Sequence, residues 1–148
     1  MADQTVEQRL RRLEDLEEIR QLFVDYGYYL DQKDFVGYSQ LFARDGEWHG
    51  GIGDAKGPAE IQAMLERVIG RGSGRQSAHI VANPIIHLDG DRATGRVTWV
   101  FLLGDDDTKP QLALVGHYED TLVREDGRWR FLHREAATDM RPAQSPLP

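Results

Sequence analysis

The sequence predicts an α+β fold, a curved antiparallel sheet wrapped around N-terminal helices. Three observations point there. Apolar residues recur at three- and four-residue steps through the first third of the chain. Long alternating runs fill the second half, and Asp-Gly stands at two of their joints. The 148 residues suffice for one core and no more, since a single compact domain usually takes ~100–150.

Leu16, Ile19, Phe23, Tyr26 and Leu30 form one apolar stripe of a first helix. Asp31 follows on the flank of that stripe, about 100° from its centre. A short second helix is expected over residues 34–42, with Asp34 as N-cap and Arg44-Asp45-Gly46 ending it. Glu47-Trp48-His49 reads as a brief strand. Gly57-Pro58 opens a third helix, because proline suits a first turn, and Ile61, Met64, Leu65 and Val68 share its apolar face. Gly70, Gly72 and Gly74 close it. Four strands are then predicted over 75–88, 92–103, 111–125 and 128–140, joined by Asp89-Gly90-Asp91, an acidic loop from Gly104 to Lys109, and Asp126-Gly127. The arrangement that buries every apolar face is a sheet curled around the first helix and closed by the third. The whole chain, 1–148, is expected to be one domain with its core in 10–140. The proline-rich 141–148 is expected to be a mobile tail or to drape over a neighbour.

Composition narrows the function classes. Hydrophobic residues at 40% and charged residues at 29% describe an ordinary folded domain. With no cysteine there is no disulfide scaffold, thiolate metal site or cysteine nucleophile. The formal charge of −7 disfavours a phosphate backbone, so no nucleic-acid partner is expected. Arg9, Arg11 and Arg12 lie among Glu7, Glu14 and Asp15, the pattern of a solvated helix face. No apolar run reaches the ~18–20 residues of a membrane span, and the first residues lack a secretory pattern. The expected compartment is the cytoplasm, without a membrane partner.

No phosphate loop or nucleophile elbow is present. The histidines, at 49, 79, 87, 117 and 133, include no pair at helical spacing, so no metal site is expected. What remains is a carboxylate and an imidazole. Asp31 ends an apolar, tyrosine-rich helix, and His79 lies in the strand SAHIVAN. Alternation puts Ser77, His79, Val81 and Asn83 on one face, which a curved sheet can turn toward Asp31. An aspartate on one ring nitrogen fixes the tautomer and raises the basicity of the other, giving a general base near neutral pH. Blander roles stand beside this one: Asp31 as a helix-end cap, His79 as a satisfied core histidine, His87 exposed at its hairpin, and Tyr26, Tyr28, Tyr29 and Tyr38 as core. In the third strand of the meander, Gly116, Tyr118 and Asp120 share one face and His117 takes the other.

The segments YYLDQKDF, LFARDGEW, GPAEI, SAHIVANP and GHYEDTLVREDGRWRFLHRE together resemble the SnoaL-like branch of the nuclear-transport-factor-2-like (NTF2-like) superfamily, over residues 10–140. Within it the combination is most similar to scytalone dehydratase and lindane dehydrochlorinase. The resemblance implies a cone-shaped, cystatin-like α+β barrel with an apolar pocket, no cofactor, and a homodimer or homotrimer. It matches Asp31 and His79 to the catalytic dyad of those lyases and Arg134 to a pocket arginine of the dehydrochlorinase. Tyr26 stands where that enzyme has lysine. Leu30 stands where scytalone dehydratase has tyrosine. Val97 falls near a second pocket histidine of that dehydratase, and Gly116 and Tyr118 where it has serine and asparagine. The base is retained while the substrate-orienting groups differ, which implies a different substrate.

The function read from the sequence is thus a cofactor-independent lyase, a dehydratase acting on an aromatic or alicyclic small molecule. His79 and Asp31 are its catalytic pair. Tyr26, Tyr29, His49, Val97, Trp99, Tyr118 and Arg134 are its substrate-binding set, with Trp48 and Phe101 as further walls. The alternatives are a cofactor-free isomerase or C–C lyase using the same base, and a non-catalytic binding or assembly module.

Overall fold

The computed structural model describes residues 3–70 and 74–144, so Gly72 and the end of the proline-rich tail lie outside the described residues. Helix α1, Val6–Gln32, starts at Thr5, whose hydroxyl accepts from the Gln8 amide at 3.2 Å while the Gln8 side chain accepts from the Thr5 amide at 2.9 Å. It ends at Lys33, in the left-handed region with φ 57°. Ile19, Phe23 and Tyr26 are buried, as the periodicity predicts, and Leu22 is buried beside them. Asp15 departs from the solvated face expected of its neighbours. It is buried, accepting from the Trp129 indole at 3.1 Å and pairing with Arg124, which clamps α1 onto the last hairpin.

Helix α2, Phe35–Ser39, keeps its predicted N-cap, Asp34, whose carboxylate accepts from the Gly37 amide at 2.9 Å. It is shorter than predicted. From Phe42 the chain is extended, as strand β1, Phe42–Gly50, because Phe42 and Trp48 both reach the core from a strand that pairs along the last strand. Strand β2 is Gly53–Lys56 and helix α3 is Pro58–Val68. Ile61, Met64 and Leu65 are buried on α3, while Val68 is exposed, correcting its place in the predicted stripe.

The four predicted strands are present: β3 Ser77–Asp89, β4 Arg92–Gly104, β5 Pro110–Glu125 and β6 Arg128–Met140. They form an antiparallel meander, and β1 adds to β6 in parallel, so the six-stranded sheet runs β2-β1-β6-β5-β4-β3. It is curved but unclosed, with β2 and β3 as edges, so the barrel that the resemblance implies is an open half-shell. The helices fill its concave side, where Phe23, Tyr26, Tyr38, Phe42, Leu122 and Phe131 meet. Among the described residues no helix is long and apolar enough to cross a membrane.

One irregularity aims β3. Its pairing with β4 shifts between Ala82 and Ile85, and Asn83 sits at φ 55°, a conformation asparagine tolerates better than most residues. The extra residue reverses the alternation. Ser77, His79 and Val81 face inward before the bulge and Ile86 and Leu88 after it, whereas Asn83, predicted to share the His79 face, is exposed.

Candidate functional site

The last turns of α1 run against the middle of β3. The closest approach is at Gly27, where a Cβ would lie only 3.3 Å from the His79 Cβ. Any larger residue would hold helix and strand apart there. Asp31 follows one turn later on the same side and meets the inward face of β3.

The carboxylate receives three donors. The His79 amide donates to Oδ2 at 2.7 Å, the Ser77 hydroxyl to Oδ1 at 2.9 Å, and His79 Nδ1 lies 2.6 Å from Oδ1. Burial pushes the Asp31 carboxyl up, but the His79 ring, its charge, the His79 amide and Ser77 together hold it below the ordinary carboxylate value. An ionised Asp31 requires the proton on Nδ1. That leaves Nε2 as the acceptor, and among the described residues Nε2 has no hydrogen-bond partner. The His79 ring stacks on Phe101 with centroids 4.5 Å apart, and its side chain is 12% exposed, largely enclosed. Phe101 faces His79 directly in the β3–β4 register.

Trp99, two residues earlier on β4 and opposite Val81, is the diagonal neighbour of His79 on the same concave face. Its ring lies over Gly116, where a Cβ would collide with the indole. Trp99 is 6% exposed and, among the described residues, its Nε1 has no hydrogen-bond partner. A buried donor left unpaired is costly and rare.

Deeper in the shell, Arg134 is fully buried. It donates from Nε and Nη2 to the two oxygens of Asp120, at 2.7 Å each, and its guanidinium lies 4.0 Å from the ring centroids of Tyr26, Tyr118 and Phe131. Burial alone would lower its pKa, but the Asp120 carboxylate outweighs this and keeps the charge fixed. Nη1 has no partner. The Tyr26 hydroxyl accepts from Trp48 Nε1 at 2.8 Å. Burial, with Tyr26 as neighbour, raises Tyr38 and Tyr118 well above the ordinary phenol value, so both stay protonated.

Of the residues singled out in the sequence, Asp31, His79 and Phe101 converge, while the Trp99 ring lies over Gly116 and Tyr118. Tyr26, Val97, Tyr118 and Arg134 lie behind them as a buried floor. Tyr29 turns toward α2, packed beside Gly37, and Tyr28 is exposed rather than core. His49 is displaced. Trp48 points into the shell, so the next residue points out, and His49 stands on the convex face with Asp54 and Glu47. Its ring centroid is 4.9 Å from that of His133, a convergence across strands that helical spacing does not reveal. The pairing crosses two strands 84 residues apart and has no local signal. Ser77 and Asp120 were not expected to act as partners. Alternation alone places each beside a singled-out residue, Ser77 two before His79 and Asp120 two after Tyr118.

The SnoaL-like domain family matches residues 11–135. An uncharacterized protein of Mycobacterium tuberculosis is 32% identical over 130 residues, 82% of this chain and 84% of that one. Among solved structures, an NTF2-like protein with a cystatin-like fold from Novosphingobium aromaticivorans is 32% identical with a TM-score of 0.82, covering 97% of this chain and 94% of that one. LinA is 23% identical with a TM-score of 0.79, covering 95% and 98%, and is similar in fold.

Proposed function

We propose that this chain, which belongs to the SnoaL-like domain family, is a cofactor-independent lyase that removes water from an oxygenated aromatic or alicyclic small molecule. The observation that carries the reading is the 2.6 Å contact between His79 Nδ1 and an Asp31 carboxylate already saturated by Ser77 and the His79 amide. A ring locked in that tautomer presents Nε2 as a base of fixed direction. Nε2 takes the proton from a carbon adjacent to a carbonyl. Asp31 stabilises the imidazolium that forms, and the proton is then available to the departing hydroxyl, so that water leaves.

Phe101, stacked on the His79 ring, gives the dyad an aromatic neighbour, which suits a ring-shaped ligand. General base catalysis accounts for ~10²–10⁴-fold, so positioning of the substrate must supply the rest.

The test is incubation in heavy water with a panel of cyclic β-hydroxy ketones and related diols, followed by NMR. Deuterium entry next to the carbonyl reports the base, and loss of the hydroxyl reports elimination. His79→Ala and Asp31→Asn should each lower turnover at least ~10²-fold with the circular dichroism spectrum preserved. Deuterium entry without loss of the hydroxyl would make the chain an isomerase. No exchange with any compound, or full activity in His79→Ala, would remove the base from the mechanism.

A further inference from the structure

We propose that Glu47, His49 and His133, on the convex face of the sheet, form a site for a single divalent transition-metal ion of the Zn²⁺ class, with Asp54 as its outer-sphere partner. The site lies on the face opposite the dyad and does not depend on the reading of His79.

Sheet geometry assembles it. Glu47 and His49 are two apart on β1 and share the outward face, while Glu47 and His133 are directly paired in the parallel β1–β6 register. One ligand atom from each of the three residues can be chosen so that all lie within 4.8 Å of one another. Glu47 Oε2 is 3.2 Å from His49 Nε2 and 3.8 Å from His133 Nδ1. Ligands of a tetrahedral ion held at ~2.0–2.1 Å stand about 3.3 Å apart, so small side-chain rotations bring this set to bonding distance. Two imidazoles and one carboxylate make a donor set for Zn²⁺ rather than for the all-oxygen preference of Ca²⁺ or Mg²⁺.

The surroundings fit as well as the ligands. His49 Nδ1 lies 2.8 Å from Asp54 Oδ1 on β2, the carboxylate–histidine arrangement that orients a metal-bound imidazole. Lys56 Nζ holds the other Glu47 oxygen at 3.1 Å and leaves Oε2 for the ion. The three ligand side chains are between 34% and 41% exposed, so an ion can enter from solvent and keep a position open for water or an anionic group. A bound ion would tie β1 to β6 across the one parallel pairing among the described strands.

The experiment is calorimetric titration of chelator-stripped full-length protein with Zn²⁺, repeated with Co²⁺ to read the coordination by visible absorption. One saturable ion per chain is expected, with a four-coordinate Co²⁺ spectrum. Zn²⁺ should raise the melting temperature and move the His49 and His133 ring signals in NMR while leaving His79 unmoved. His133→Ala and Glu47→Gln should abolish saturable binding, and Asp54→Ala, outside the inner sphere, should weaken it ~10–100-fold. Carrying both ligand variants keeps the test decisive if one of them folds poorly. No saturable binding by the parent protein, undiminished binding in a folded ligand variant, or loss of binding in His79→Ala overturns the proposal.

Discussion

Replacing Asp120 with alanine isolates the strain of a buried cation. In the parent protein Arg134 is fully buried and, among the described residues, Asp120 is its one carboxylate partner, bonded through two oxygens at 2.7 Å. Rings of Tyr26, Tyr118 and Phe131 occupy the remaining approach at 4.0 Å, and cation–π attraction of about 2 kcal/mol cannot replace a bidentate carboxylate. Breaking such a pair from one side costs ~3–5 kcal/mol, because a dry charge is left alone. At about 2–4 °C of melting temperature per kcal/mol in a domain of this size, Asp120→Ala should melt about 6–20 °C below the parent.

The other side of the pair should behave differently. Arg134→Met leaves a carboxyl that burial already pushes up, and removing the cation removes the pull against that push. A folded value above the unfolded one means stability that is present below the unfolded value and lost as pH rises through the folded value. The deficit of Arg134→Met should therefore be smaller at pH 5 than at pH 8. Asp120→Leu with Arg134→Met should recover most of the loss. Urea denaturation of the parent, both single variants and the double variant measures all of this. A cost under ~1 kcal/mol for Asp120→Ala with an unchanged denaturant slope would mean that water reaches the guanidinium, and the dry floor beneath the site would be wrong.

Three further outcomes are expected. Gly116→Ala places a methyl against the Ala137 carbonyl oxygen and the Trp99 ring, and should destabilise by at least ~1–3 kcal/mol in denaturant titration, with the tryptophan fluorescence altered. Asp31, held below the ordinary carboxylate value, contributes stability that is present above its unfolded value of ~3.9 and lost as pH falls through the folded one. The stability gap between the parent and Asp31→Asn should accordingly close below about pH 4 in acid denaturation. Nitrogen-15 NMR at neutral pH should find His79 protonated on Nδ1 in the parent, with that preference lost in Asp31→Asn, and equal tautomer populations in the parent would contradict the assigned hydrogen bond.

The parts of this molecule that were legible in its sequence are those set by short-range periodicity. Phe23 and Tyr26 are buried because their spacing follows a helical turn, and Tyr118 and Asp120 face inward because strands alternate. His79 and Asp31 were legible from the residues as a candidate pair beside blander roles, and the resemblance singled them out, since nothing local ties residues 48 positions apart. The misreadings share one physical origin, competition between a local signal and a distant partner. Phe42 continues the helical spacing of α2 but is captured by β6, and Asn83 continues an alternation that a bulge reverses. His49 stands beside an inward Trp48 and so faces out, where β6 brings it His133. A parallel pairing such as β1 with β6 leaves no turn in the sequence to announce it, so whatever it assembles appears only in three dimensions. The dyad and the His49–His133 cluster thus make opposite demands on the sequence. The dyad depends on Gly27 letting a helix touch a strand, and any larger side chain there should disturb Asp31 and His79 together while leaving the convex cluster intact.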